Sequence, residues 1–242
     1  MIMLRKFVFF ITLSAAFLCA QAIEVAYSGN HRFDGEHLNE ISGQLQGGNN
    51  IVTGFFMGPA AQYRHHFNEH WNIAGATQFM FDKQQYSVYA KGSWRISPWR
   101  PHYSLYISAK AMYNRYNHWN TNEYALNLSA TWEHPYFDIT IGESLIYFRM
   151  LHSHYTEPLT FTFGASVNIR DRRSPWNLGL FARNYDDFYY ENWNINWGLH
   201  FNARITDTMR LFGEFNVRPA GSISQLASKY ETSLKLGIKY VW

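Results

Sequence analysis

The stretch Glu231 to Trp242 reads ETSLKLGIKYVW. Taken at alternate positions, it places Leu234, Leu236, Ile238, Tyr240 and Trp242 on one side and Ser233, Lys235, Gly237, Lys239 and Val241 on the other. A two-residue period is that of a β-strand, whose successive side chains leave opposite faces. One face is apolar and the other carries two lysines. Trp193, Ile195, Trp197, Leu199, Phe201 and Ala203 alternate in the same way with Asn194, Asn196, Gly198, His200, Asn202 and Arg204. Leu159, Phe161, Phe163, Ala165, Val167 and Ile169 alternate with Thr160, Thr162, Gly164, Ser166, Asn168 and Arg170.

The strand that carries Tyr240 and Trp242 resembles the closing strand of Gram-negative outer-membrane β-barrels, where the assembly machinery reads such an aromatic end. The resemblance implies a bacterial outer-membrane location, contact with outer-membrane lipid and lipopolysaccharide, and recognition of Tyr240 and Trp242 by the barrel assembly machinery.

The front of the chain agrees with that compartment. Arg5 and Lys6 precede an apolar run from Phe7 to Cys19, and Ala20-Gln21-Ala22 has the small-x-small pattern of a secretory cleavage site. Residues 1–22 are therefore expected to be a signal peptide and residues 23–242 a single barrel domain. Leu18 before Cys19 is not the small residue that lipid attachment requires. Cleavage after Ala22 removes the one cysteine of the chain, which excludes disulfides and thiol chemistry. Beyond residue 22 no run approaches the ~18 apolar residues of a membrane helix. Aromatic residues make up 19% and charged residues only 16%, a balance that aromatic girdles at two membrane interfaces would produce.

Turn-like clusters centre near residues 67, 99, 135, 173 and 207, so they recur at 32, 36, 38 and 34 residues. Each interval holds two alternating runs and a longer polar segment, the pattern of hairpins with short periplasmic turns and longer outer loops. The runs predict an all-β, antiparallel up-and-down barrel of twelve strands, near 23–30, 55–64, 71–80, 86–96, 102–112, 123–132, 137–149, 159–170, 176–184, 193–204, 209–218 and 230–242. The start has two readings: His37 to Gln46 extends the first hairpin, or is itself the first strand; ten strands is the alternative count. The run from Phe137 breaks parity at Glu143. A β-bulge near Gly142 would turn Glu143 and Arg149 inward and Ile146 and Phe148 outward.

The wet faces define the interior. The predicted inward cations are Arg64, Lys91, Arg95, Lys110, Arg149, Arg170, Arg183, Arg204, Arg210, Arg218, Lys235 and Lys239, against the acids Glu24, Glu133, Asp138, Glu143, Glu214 and Glu231. Twelve against six leaves a surplus of six positive charges, which favours anionic solutes in a narrow pore. The candidate pore-lining set is Arg64, Lys91, Arg95, Lys110, Glu143, Arg149, Arg183, Arg204, Glu214 and Lys235. Size, strand number and basic lining are similar to those of twelve-stranded porins for acidic sugars, a likeness of architecture that transfers no site. The expected function is a narrow porin or uptake channel for small hydrophilic solutes, anionic ones included. The alternative is a non-conducting structural or adhesive outer-membrane barrel whose loops meet a partner, its inward cations paired with the inward acids.

The outer loops are predicted at about 29–54, 81–85, 113–123, 150–158, 184–193 and 217–229. They hold Tyr113, Tyr116, Trp119, Tyr155, Phe188, Tyr189, Tyr190 and Trp193 among asparagines, as an interfacial girdle or as ring faces for sugars. Their acids, Glu40, Glu123, Asp186 and Asp187 among them, would repel anions at the mouth. His102 with Ser104, and Asp186-Asp187 with His152 or His154, are the weak enzymatic readings, set aside in favour of a barrel that is not an enzyme. His65 and His66 point to opposite faces, so His65, His66 and His70 do not read as a metal site. No motif for a cofactor or for nucleic acid is present.

Overall fold

Strict alternation over ten or more residues commits these segments to strands, and an apolar outer face over a polar inner one bends the sheet until it closes. The computed structural model describes residues 39–50, 54–68, 70–81, 84–96, 104–117, 119–157, 159–171, 174–190, 195–219 and 230–242. The expected signal peptide and the expected first strand at 23–30 lie outside the described residues. All regular structure within them is β: β1 (Asn39–Asn50), β2 (Gly54–His66), β3 (Trp71–Met80), β4 (Gln85–Ile96), β5 (Ser104–Tyr116), β6 (Thr121–Glu133), β7 (Phe137–Arg149) and β8 (His154–Thr156), then β9 (Thr160–Asn168), β10 (Trp176–Arg183), β11 (Tyr185–Asp186), β12 (Tyr189–Tyr190), β13 (Asn196–Arg204), β14 (Met209–Pro219) and β15 (Tyr230–Val241).

Twelve of these form one closed antiparallel barrel, in which β1 pairs with β15 and β6 with β7. The first strand is thus the segment from Asn39, the second of the two readings above, and it occupies what was expected to be an outer loop. The quoted strand closes the barrel: Leu45 stands opposite Leu236, and the Asn39 and Trp242 backbones exchange hydrogen bonds of 3.0 and 3.1 Å.

The outer face is an apolar belt with an aromatic girdle at each end. Leu126, Leu128, Val167, Leu180, Leu199 and Leu236 are exposed in the belt. Trp71 stacks on Trp94, and Tyr240 on Trp242, at the periplasmic end. Tyr113, Tyr124 and Tyr147 succeed one another on adjacent strands at the outer end, with centroids 5.2 and 6.1 Å apart. Tyr113 is thereby a girdle residue. Amphipathic rings at two interfaces around an apolar band fit a barrel to a bilayer.

The bulge expected near Gly142 is absent. The register from Asn122↔Arg149 to Glu133↔Asp138 runs without an interruption, as does that between β7 and β9. Parity therefore holds through β7, and the predicted orientations reverse: Glu143 and Arg149 face outward, while Ile146, only 1% exposed, and Phe148 face the interior. β6 passes close at this point: a Cβ added at Gly142 would come within 2.4 Å of the Leu128 carbonyl oxygen. Glu143 sits midway along β7 between Leu128 and Phe161, both exposed on the outer face. A carboxylate there costs free energy in lipid, less than an arginine would. Glu143→Leu is expected to stabilise the barrel by roughly 1 kcal/mol, measured as a rightward shift of urea unfolding in lipid vesicles; an unchanged or lowered midpoint would place Glu143 elsewhere than in the lipid belt.

Candidate functional site in the barrel interior

Eight of the ten predicted pore-lining residues, Arg64, Lys91, Arg95, Lys110, Arg183, Arg204, Glu214 and Lys235, lie on the inward face of their strands; Glu143 and Arg149 do not. Arg170, also expected inside, lies beyond the end of β9 with its guanidinium 3.9 Å from the Trp176 ring. The acids change more. Glu40 and Glu123 were expected in outer loops but lie on the inward faces of β1 and β6.

The largest departure from expectation is the segment after β10. Instead of rising from the mouth, residues 184–190 fold inward as the small hairpin β11–β12 and cross the lumen. Asp186 pairs with Lys235 of β15 and, at 3.2 Å, with Arg183. Lys235 also lies 3.7 Å from Asp187 and 3.6 Å from Glu214, which in turn pairs with Arg183. On the far wall Lys110 donates to the Asp187 carbonyl, and Asn114 Nδ2 donates to the Phe188 carbonyl at 2.9 Å. Phe188 itself is buried against Ala60, Met112, Ala125 and Ile146. Tyr185 lies over Gly164, where a side chain would come within 3.0 Å of its ring. The interior is thus held by an apolar cluster around one ring and an ion network around one carboxylate.

Counting the charges on the inward strand faces and on the crossing segment, among the described residues, gives ten cations (Arg64, Lys91, Arg95, Lys110, Arg183, Arg204, Arg210, Arg218, Lys235, Lys239) and eight acids (Glu40, Glu123, Glu133, Asp138, Asp186, Asp187, Glu214, Glu231). The surplus of six falls to two. Many of these charges are matched in pairs: Glu40 lies 3.1 Å from Lys239 and 3.7 Å from Arg64, and Arg218 pairs with Glu231.

The crossing segment divides the lumen. On the periplasmic side is a cavity of about 350 Å³, lined by Asp138, Asn168, Asn177, Arg183, Tyr185, His200 and Glu214 among others. On the outer side is one of about 910 Å³, bounded by Gln78, Tyr116, Glu123, Phe148, Asp186 and Arg218 among others. Two spaces of solute size thus lie on either side of a charged neck.

The reading of Asp186 and Asp187 with His152 or His154 does not assemble. Asp186 is ion-paired with Lys235 at 4% exposure, which leaves it unsuited to proton transfer; His152 and His154 are exposed. His102 lies outside the described residues, and Ser104 accepts a hydrogen bond from Arg95 Nε at 3.0 Å. His65 Nδ1 contacts Asn39, and His70 Nδ1 contacts the Arg95 carbonyl, each at 2.9 Å. Among the described residues no group of histidines and acids is arranged to hold a metal ion.

No family model matches the chain, and no curated protein matches it. Solved structures do. The KdgM porin in complex with disordered oligogalacturonate superposes with a TM-score of 0.58 at 8% identity, over 84% of this chain and 99% of that one. The outer-membrane protein Omp33 of Acinetobacter baumannii gives 0.52 at 15% identity, over 85% and 98%. The translocator domain of the autotransporter NalP from Neisseria meningitidis gives 0.50 at 16% identity, over 96% and 97%. At such identities the likeness is one of fold, and with the closed twelve-stranded register and the girdled apolar belt it establishes that fold: the chain is a β-barrel of the outer-membrane type.

Proposed function

We propose that the protein is a narrow channel of the bacterial outer membrane for small hydrophilic solutes, constricted by the segment 184–190. The observation that carries this reading is a polar, charged interior with cavities toward both ends, interrupted among the described residues by a short hairpin. A surplus of two inward cations, against many matched pairs, supports only weak preference for anions. Outer-membrane lipid and lipopolysaccharide surround the belt in this reading, and the Tyr240 and Trp242 end is the segment presented to the barrel assembly machinery.

The ion pairs across the neck favour a second reading, a barrel closed at rest. Planar-bilayer recording separates the two. The refolded protein is expected to conduct in small, resolvable steps, with a reversal potential of slight anion-selective sign at low salt, where screening is weakest. Replacing residues 185–190 by two glycines is expected to raise the step severalfold. A silent parent with a conducting deletion would establish the closed barrel; silence in both would overturn the channel.

A further inference from the structure

The outer cavity is unlike the rest of the lumen. Elsewhere the inward faces carry mostly amides, hydroxyls and charged groups, with Ser87, Asn114, Thr160 and Asn196 fully enclosed. Here Met80, Ile146, Phe148, Met150, Leu151 and Phe188 form an apolar wall of a space of about 910 Å³, within the range of sites that enclose drug-sized ligands.

Two acids border that wall. Glu123, 5% exposed, accepts a hydrogen bond of 2.7 Å from the Tyr116 hydroxyl. Glu157 is fixed beside it by a 2.9 Å bond from its backbone N–H to the Ile146 carbonyl. The cavity's other acids are matched, Asp186 by Lys235 and Glu231 by Arg218. No ion pair reaches Glu123 or Glu157 among the described residues. The Tyr116 and Trp119 rings, 5.9 Å apart, stand on the same lining. Burial pushes the Glu157 carboxyl above its ordinary value, against a hydrogen bond with Thr160, as expected of an acid at an apolar wall with no cation paired to it.

We propose that the outer cavity binds a small amphipathic organic cation, its apolar body against Ile146, Phe148, Met150 and Phe188 and its positive head between Glu123, Glu157 and the rings of Tyr116 and Trp119. Charge complementarity selects the occupant. An anion would meet two carboxylates, and a neutral apolar molecule would desolvate them without compensation. A cation gains from both acids and from the ring faces. The site does not depend on conduction: a ligand resting above the neck need not pass it.

Equilibrium dialysis of the full chain in phosphatidylcholine nanodiscs tests this, with empty nanodiscs subtracted. Tetraphenylphosphonium is the probe and tetraphenylborate its anion of matched shape. Saturable binding of one tetraphenylphosphonium per barrel is expected, at least tenfold weaker in Glu123→Gln/Glu157→Gln, with no saturable binding of tetraphenylborate. Heat-dependent gel migration reports whether the double variant is folded. Should it not fold, Glu157→Gln alone, in a loop, is expected to weaken binding about threefold. Equal binding of both ions, or unchanged affinity in the folded variants, would show an apolar pocket indifferent to charge and overturn the proposal.

Discussion

Lys235→Gln is expected to open the neck. The substitution removes the main partner of Asp186 and leaves that carboxylate enclosed with Arg183 at 3.2 Å, a guanidinium already shared with Glu214. Breaking a buried ion pair from one side costs about 3 to 5 kcal/mol where the remaining charge is left uncompensated, and Arg183, shared with Glu214, compensates Asp186 only in part. The barrel need not unfold to escape that cost; the hairpin β11–β12 need only leave the lumen. At about 1.4 kcal/mol per factor of ten, even the lower figure shifts the hairpin toward the open form by roughly a hundredfold. Single-channel conductance in planar bilayers should rise severalfold. Lys235→Gln/Asp186→Asn, which removes both charges, should restore much of the small step, and Lys239→Gln, whose partner Glu40 lies on β1, should leave it unchanged. Identical conductance in all of these would mean that the ion pair does not hold the hairpin. The alternating pattern alone would have made Lys235→Gln a tolerated change on a wet face; its 3% exposure is what reverses the expectation.

Leu236→Arg is expected to act on the barrel itself. Leu236 is 46% exposed in the middle of β15, with Leu45 and Gly213 as cross-strand neighbours. An arginine facing lipid near the bilayer midplane costs about 2 to 4 kcal/mol. Urea unfolding in lipid vesicles should show a destabilisation of that size, with reduced refolding yield, while conductance of the molecules that do insert remains that of the parent. A midpoint equal to the parent's would mean that this face does not meet lipid. The neighbouring positions 235 and 236 thus differ in the observable that each controls.

Sequence alone determined the elements. Trp193 to Arg204 and Leu159 to Arg170 alternate over enough residues that only a strand with one oily and one wet face satisfies them, and the terminal aromatics and evenly spaced turns led to a closed barrel. Eleven of the twelve expected strands coincide with observed ones to within a few residues. The start was ambiguous because Asn39 to Asn50 contains Gly43, Gly47 and Gly48, which carry no side chain to mark either face. Parity, a local property, survives intact wherever the register runs without a bulge; one inserted bulge near Gly142 was enough to misplace Glu143, Ile146, Arg149 and Phe148.

The path of a loop has no such local rule. Asp186, Asp187 and Phe188 read as polar and aromatic loop residues like those of the other outer loops. Nothing within Asn184 to Tyr190 announces that Lys235, forty-nine positions away, will enclose one carboxylate, or that Ala60, Met112, Ala125 and Ile146 will converge on one ring. Those partners come from strands on opposite walls and meet only after the barrel closes. The same closure turned Glu40 and Glu123 inward and reduced the charge surplus from six to two. Strand and face were therefore written in the chain's two-residue period, and the compartment in its terminal aromatic residues, whereas the neck, the two cavities and the charge balance arise from contacts across a closed lumen, which no periodicity along the chain encodes.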